Sequence, residues 1–124
     1  MASKFLIKKT KTGFVFHLTA TNGETIATSE VYNAVAGAKK GIQSIINNSA
    51  IASTEDTTKA DFEKCSNPKF QIYKDKKGEF RFRLKAKNGA NIAASEGYAT
   101  IKSCINGIES VKKNAPSAVI ETEK

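Results

Sequence analysis

Two segments of the sequence match position by position: Phe14-x-Phe16-x-Leu18-x-Ala20-x-Asn22-Gly23 and Phe80-x-Phe82-x-Leu84-x-Ala86-x-Asn88-Gly89. The match extends from Lys4-Phe5-x-Ile7 and Lys69-Phe70-x-Ile72 to Ser29-Glu30-x-Tyr32 and Ser95-Glu96-x-Tyr98. The two copies are offset by 65 residues before the first turn and by 66 after it. A tandem duplication of this kind sets the architecture of a chain.

Each copy contains strands followed by a helix. Apolar residues at every second position place one face of a strand in a core, and the Asn-Gly pairs predict type I′ hairpin turns. A third strand is expected at about residues 24–30 and again at about 90–96. Steps of three and four between apolar residues then predict a helix with one buried stripe in each copy. The two stripes are Val35, Ala38, Ile42 and Ile45, and Ile101, Cys104, Ile108 and Val111.

The ends of both helices carry capping candidates. Asn33 is a suitable N-cap for the first helix and Thr100 for the second. Asn48 and Asn114 suit the left-handed conformation that ends many helices.

A glycine recurs in the interior of each predicted helix, at Gly41 and Gly107. Glycine costs about 1 kcal/mol relative to alanine in an exposed helix. We therefore expect close backbone approach at both positions, either of helix to helix or of helix to sheet.

The remaining segments divide the chain. A fourth strand is predicted after each helix, at residues 50–54 and 118–122. The chain then consists of repeat one, 4–54, a polar linker, 55–68, and repeat two, 69–124. Because three strands and one helix cover their own apolar face poorly, the two repeats should share a core. The expected fold is one duplicated α+β domain over residues 1–124, with two tandem β-β-β-α-β repeats in one antiparallel sheet and two helices packed on one face.

The pattern resembles the YegP-like family, small bacterial proteins built from copies of a domain of unknown function. The resemblance rests on Lys69-Phe-Gln-Ile-Tyr-Lys-Asp-Lys-Lys-Gly-Glu-Phe-Arg-Phe-Arg-Leu84, Lys87-Asn-Gly89, Ala94-Ser-Glu-Gly-Tyr98 and Asn106-Gly-Ile-Glu-Ser-Val-Lys112. It implies that the C-terminal strands of the two repeats are exchanged. It implies no assigned activity.

Composition narrows the class of protein. No apolar run approaches the roughly 18–20 residues of a membrane span, and the N-terminal segment lacks the apolar stretch of a secretory signal. We therefore expect a cytoplasmic protein with free thiols at Cys65 and Cys104. The net charge of +8 is concentrated in residues 69–124, which carry twelve Lys or Arg and six acidic residues.

A row of four cations is the main candidate site. Alternation places Arg81, Arg83, Lys85 and Lys87 on the outer face of one strand, about 7 Å apart, near the spacing of phosphates along a nucleic acid. Lys74, Lys76 and Lys77 lie in the adjoining turn. The row could hold a polyanion, or it could be a solvated face whose charges discourage aggregation. Repeat one has Val15, His17, Thr19 and Thr21 at the matching positions.

Two further groups of residues are candidates for chemistry. Glu30 and Glu96 would form a carboxylate pair if the pseudo-two-fold axis brought them together, or they would simply favour the helix N-termini that follow. His17 has no ligand or catalytic partner by spacing, and no phosphate-loop, dinucleotide or zinc pattern occurs. We therefore expect no catalytic residues, no metal and no cofactor.

The sequence thus favours a non-enzymatic module that binds nucleic acid or another polyanion weakly and without sequence preference. The alternative is a protein-interaction or structural module with no nucleic-acid role. A monomer is expected, because one duplicated chain can complete its own pseudo-dimer, and a symmetric dimer remains the alternative.

Overall fold

The computed structural model describes residues 3–123, which form eight strands and two helices. Repeat one supplies β1 (Lys4–Lys9), β2 (Phe14–Thr19), β3 (Thr25–Ser29), α1 (Val35–Ser49) and β4 (Ser53–Asp56). Repeat two supplies β5 (Lys69–Lys74), β6 (Phe80–Lys85), β7 (Asn91–Ala94), α2 (Ile101–Asn114) and β8 (Val119–Thr122). A short 3₁₀ turn, Ala115–Ser117, joins α2 to β8.

All eight strands belong to one sheet with the order β4-β5-β6-β7-β3-β2-β1-β8. The halves meet where β3 and β7 pair antiparallel, with Thr28 opposite Ala94 and Ser29 opposite Ala93. At the edges, β4 of the first repeat pairs with β5 of the second, and β8 of the second pairs with β1 of the first. The tandem β-β-β-α-β architecture and the exchange of the last strands are therefore confirmed.

The sheet is mixed, which corrects the expectation of a purely antiparallel one. The two edge pairings, β4 with β5 and β8 with β1, are parallel. Each edge strand follows a helix, and a helical crossover is the usual way to bring a strand into parallel pairing. The alternating sequence pattern does not distinguish the two directions.

One continuous cluster of buried apolar residues lies between the sheet and the helices. Equivalent aromatic pairs mark its two halves: the rings of Phe5 and Phe16, and those of Phe70 and Phe82, each pack edge-on with centroids 5.8 Å apart. Each helix contacts strands of both repeats, since α1 lies on β2 and β7 while α2 lies on β6 and β3. Both helices lie on this face, and the opposite face of the sheet is the outer face.

The helix starts differ from the sequence prediction in one repeat. Thr100 caps α2, because its hydroxyl oxygen accepts a hydrogen bond of 3.1 Å from the backbone N–H of Ser103. In α1 the N-cap is Ala34, which has no side-chain acceptor, so the prediction for Asn33 is wrong by one residue.

The predicted left-handed helix ends are also wrong. Within residues 3–123 only glycines have positive φ. Asn48 and Asn114 are nearly buried instead, and each side-chain amide donates to a carbonyl one turn earlier, that of Ser44 at 2.7 Å or Ser110 at 2.8 Å. These asparagines therefore bond back to their own helices.

Both predicted hairpins form, with another turn type. The N–H of Gly23 donates to the carbonyl of Ala20 at 2.9 Å, and only the glycine has positive φ, at 85°. This is the pattern of a type I turn followed by a left-handed glycine, not of type I′, which needs two positive-φ residues. The same bonds recur around Gly89.

Candidate polyanion-binding face

The basic residues of β6 lie on the outer face of the sheet. Phe82 and Leu84 are buried against the helices, so Arg81, Arg83 and Lys85 between and after them point the other way. Each of the three is partly exposed. Lys87 is exposed and lies in the turn after β6, not on the strand as predicted. We call these four residues the basic face.

Arg81 is held by an acidic neighbour. Its Nε donates to the carboxylate of Asp75 at 2.7 Å, and its Nη1 donates to the carbonyl of Ser95 at 3.3 Å. The hydrogen bond from Arg81, together with those from the backbone N–H groups of Glu79 and Lys77, lowers the pKa of Asp75 below its ordinary value. The positive charge of Arg81 is therefore locally compensated.

Arg83 is stacked on an aromatic ring. Its Cζ lies 3.9 Å from the centroid of Tyr73, within the range of a cation–π contact. Its Nε is buried and has no hydrogen-bond partner in the described part of the chain. A cleft of about 120 Å³ adjoins this guanidinium and is also lined by Glu30 and Asn91.

Lys85 and Lys87 form no ion pair with any residue in the range 3–123. The residue opposite Lys85 on β5 is another lysine, Lys69, whose charge is used elsewhere. These two side chains are the cations of the basic face that remain most available to an anionic ligand.

The turn lysines extend the positive surface at the other end of β6. Lys76 and Lys77 are exposed. Lys74 is also exposed, and its Nζ lies 5.3 Å from the ring centroid of Phe80. All three side chains are therefore accessible to a ligand.

A buried ion pair lies beside the basic face, and it was not predicted from the sequence. The Nζ of Lys69 donates to Oε2 of Glu55 at 2.8 Å, and the two side chains are 7% and 1% exposed. Gln71 donates to Oε1 of Glu55 at 2.8 Å, and the backbone N–H of Cys65 donates to Oε2 at 2.7 Å. Burial alone would raise the pKa of Glu55, but these bonds outweigh it and lower the pKa to about 2.

The recurrence of Lys4 at the position of Lys69 is a hint of that pair in the sequence. Its acidic partner, however, lies in the segment predicted as linker. β4 begins at Ser53, three residues after the predicted start at Ala50, and ends at Asp56. Glu55 is thus a strand residue.

The structure does not bring Glu30 and Glu96 together. Thr28 lies opposite Ala94 in the antiparallel β3–β7 pair, and each glutamate lies two residues beyond, in opposite directions. Four residue rises separate them along the strands, roughly 13 Å. Both side chains are exposed. The hypothesis of an acid–base carboxylate pair is therefore wrong.

The serines that precede these glutamates have a structural role. The hydroxyl oxygen of Ser29 accepts from the backbone N–H of Phe16 at 2.9 Å and donates to the carbonyl of Glu30 at 2.7 Å. Ser95 makes the same two bonds with Phe82 and Glu96. These bonds to the backbone explain why the serine recurs in both repeats.

His17 and the cysteines offer no reactive cluster. Nδ1 of His17 lies 2.9 Å from the hydroxyl of Thr28, and burial, with a smaller contribution from Lys8, lowers its pKa. Cys65 and Cys104 are free thiols, as predicted, and burial raises the pKa of Cys104 to about 11. Among residues 3–123, no group of His, Cys, Asp and Glu is placed to hold a metal ion.

Neither helix in the described part of the chain has the length and hydropathy needed to cross a bilayer.

Comparison with known proteins finds one sequence family in both halves. The profile of the domain of unknown function DUF1508 matches residues 10–56 and 75–121. A UPF0339 protein of Pseudomonas aeruginosa is 37% identical over 124 residues, covering 99% of each chain. The UPF0339 protein YegP of Escherichia coli O157:H7 is 39% identical over 119 residues, covering 94% of this chain and 92% of that one.

Other relatives match only part of the chain. A UPF0339 protein in the ptx operon 5′ region of Stutzerimonas stutzeri is 70% identical over 47 residues, 38% of this chain and 42% of its own length.

Among solved structures, the solution structure of yegP from E. coli, a protein of unknown function, superposes with a TM-score of 0.80 at 35% identity. The match covers 99% of this chain and 94% of that one.

Proposed function

The chain belongs to the DUF1508 (UPF0339) family of unknown function, and we propose that it is a non-enzymatic module that binds nucleic acid or another polyanion weakly. The observation that supports this proposal is the row Arg83, Lys85 and Lys87. Arg83 and Lys85 lie on the outer face of β6, and Lys87 lies in the turn that follows. No acidic side chain within residues 3–123 forms an ion pair with these three residues.

The contribution of each cation follows from its contacts. Lys85 and Lys87 would each meet a phosphate directly. Arg83, stacked on Tyr73, is oriented before a ligand arrives, and its guanidinium adjoins an open cleft. Arg81 already bonds to Asp75, so its main part would be to support the neighbouring turn and not to bind phosphate.

The same contacts set the expected strength and selectivity. Three available cations give a slope of log affinity against log salt of about −2 for a single-stranded ligand, so binding falls about 15-fold between about 50 and 200 mM salt. Sequence preference requires contacts with base edges or bases stacked on exposed rings. Because Arg83 covers the ring of Tyr73, we expect little preference among sequences.

The test is a charge reversal with a matched control. Fluorescence anisotropy would measure binding of a labelled single-stranded oligonucleotide at about 50 mM salt. The double variant Lys85→Glu with Lys87→Glu should abolish binding. The variant Lys39→Glu with Lys40→Glu changes the net charge equally on the exposed side of α1, and it should retain most of the binding. No binding to the unmodified protein, or equal loss in both variants, would refute the proposal.

A second candidate, a protein-interaction module, is favoured by the edge strand β8. Val119 and Ile120 on this strand are 53% and 44% exposed, although both are large apolar residues. An exposed edge with apolar side chains is a template for pairing with another chain. Pull-down from a lysate with and without nuclease separates the two candidates, because partners held through nucleic acid disappear after digestion.

A further inference from the structure

The structure contains two equivalent ion pairs in different surroundings. Lys69 of β5 pairs with Glu55 of β4 at 2.8 Å, and Lys4 of β1 pairs with Glu121 of β8 at 3.0 Å. The strand registers match, since Ser53 lies opposite Lys69 and Val119 opposite Lys4. Yet the first pair is 7% and 1% exposed, whereas the second is 43% and 51% exposed.

The buried pair is covered by a segment of main chain. The backbone N–H of Cys65 donates to Oε2 of Glu55 at 2.7 Å, and Nζ of Lys69 donates to the carbonyl of Cys65 at 3.1 Å. The acid and the base thus bind the amide and the carbonyl of a single residue. Two residues on, the side chain of Asn67 lies against Gly89, 3.4 Å from the place where a Cβ would stand.

The exposed pair lines an open groove of about 440 Å³. Its other walls include Thr19, Gly23 and Val119. Gly23 corresponds to Gly89, so this groove also has a glycine at the position that faces Asn67 of the covering segment in the other half.

One difference between the halves removes a hydrogen-bond donor from the exposed pair. Gln71 donates to Oε1 of Glu55, and the residue at its place in the other half is Leu6, which faces Glu121 in the strand register. Leucine has no donor. Oε1 of Glu121 therefore lacks the bond that its counterpart receives from this position.

We propose that this groove binds an extended segment of a partner polypeptide through its main chain. One peptide N–H would donate to the carboxylate of Glu121, and the carbonyl of the same residue would accept from Lys4. The pair is complementary in charge to that amide and carbonyl, as the pair in the other half is to those of Cys65. This site is separate from the basic face, so the proposal does not depend on polyanion binding.

The molecule's own covering segment supplies the probe. A peptide of residues 61–68, with blocked ends and Cys65→Ser to prevent oxidation, is titrated into the ¹⁵N-labelled full-length protein. The amide resonances of Lys4, Gly23 and Glu121 should shift and saturate. Methylating the peptide nitrogen at position 65 should abolish these shifts, whereas methylation at position 63, whose N–H makes no hydrogen bond in the described structure, should not.

A matched pair of protein variants completes the experiment. Glu121→Gln should weaken peptide binding about tenfold, the loss expected for one hydrogen bond to a charged group. Glu123→Gln alters a neighbouring, equally exposed glutamate that pairs with Lys8, and it should leave binding unchanged.

Three outcomes would overturn the proposal. The resonances could fail to shift at millimolar peptide, or the two glutamine variants could bind alike. Peptide binding could also appear only after removal of Met1 and Ala2. That result would mean that the groove takes a segment of this chain and not of a partner.

Discussion

The hydroxyl group of Tyr32 lies against the backbone of α1 at Gly41. A Cβ atom at this position would overlap the hydroxyl and the adjacent ring carbon of Tyr32. The ring of Tyr32 in turn stacks on that of Phe16, with centroids 6.1 Å apart. Tyr98 and Gly107 repeat the arrangement in the second half. Both helix glycines therefore allow a close approach, but the approaching group is a tyrosine side chain and not the backbone of the other helix or of the sheet.

Replacement of Gly41 by alanine should destabilise the protein. Forcing a methyl group against a rigid ring costs about 1–3 kcal/mol, and the gain in helix propensity returns up to about 1 kcal/mol. We therefore expect a net loss of about 1–2 kcal/mol in the free energy of unfolding, measured by urea titration. Gly37→Ala is the control, because a Cβ there would meet Tyr32 at an ordinary 3.5 Å. Equal stabilisation by both alanines would contradict the prediction.

The two helix starts should respond differently to alanine. Thr100→Ala removes the acceptor for the N–H of Ser103 and should cost about 1 kcal/mol. Asn33→Ala should change the free energy of unfolding by less than about 0.5 kcal/mol, since Asn33 makes no capping bond in α1. Thermal unfolding of both variants at the same pH measures the difference. A larger loss for Asn33→Ala would show that the cap lies there.

Ser29 and Ser95, whose hydroxyl groups bond to the backbone, should be needed for stability. Ser95→Ala leaves the buried backbone N–H of Phe82 without its acceptor, at 2.9 Å in the native structure. An unsatisfied buried donor costs about 1–3 kcal/mol. Ser103→Ala removes an exposed hydroxyl from α2 and should have a much smaller effect. Chemical denaturation measures the free energy of unfolding of both variants. Similar losses would show that the hydrogen bond from Phe82 to Ser95 does not stabilise the protein.

Stability should fall in acid through Glu55. Its pKa is about 2 in the folded protein, against an ordinary value of 4.5, so the folded state favours the charged form. The resulting stabilisation is complete above about pH 5 and disappears as the pH falls through 4.5 toward 2. A difference of roughly 2.5 pKa units corresponds to about 3 kcal/mol.

That acid sensitivity should vanish with the carboxylate. Glu55→Gln leaves Lys69 buried without its counter-ion and should cost about 3–5 kcal/mol at neutral pH. Its deficit relative to the unmodified protein should shrink when urea titrations are repeated near pH 3. Glu121→Gln, at the exposed counterpart, should cost less than about 1 kcal/mol. A deficit for Glu55→Gln that is constant with pH would exclude this source of acid lability.

Local patterns in the sequence predicted the strands and helices well. Alternation in Phe80-x-Phe82-x-Leu84 places side chains on two faces whatever the partner strand, so the core and the basic face follow from it. The turn type did not follow, because Asn-Gly is compatible with a single left-handed glycine as well as with two positive-φ residues. The exchange of the edge strands was implied by family resemblance alone.

Contacts that depend on strand register were harder to predict. Arg81 bonds to Asp75 in the turn between β5 and β6, whereas the register of these strands places Tyr73 opposite Arg81. Glu55 and Lys69 meet because β4 crosses from one repeat to the other. No local pattern encodes that crossing, so the buried pair and the groove that mirrors it required the structure.

The exchanged edge strands determine whether a single repeat can form a complete sheet. The last strand of each repeat lies beside the first strand of the other, so a single repeat cut out of the chain keeps a strand that it cannot use and lacks one that it needs. Such a fragment would regain its missing edge only by trading strands with a second copy of itself. In the duplicated polypeptide the strand exchange is intramolecular, so it does not depend on protein concentration.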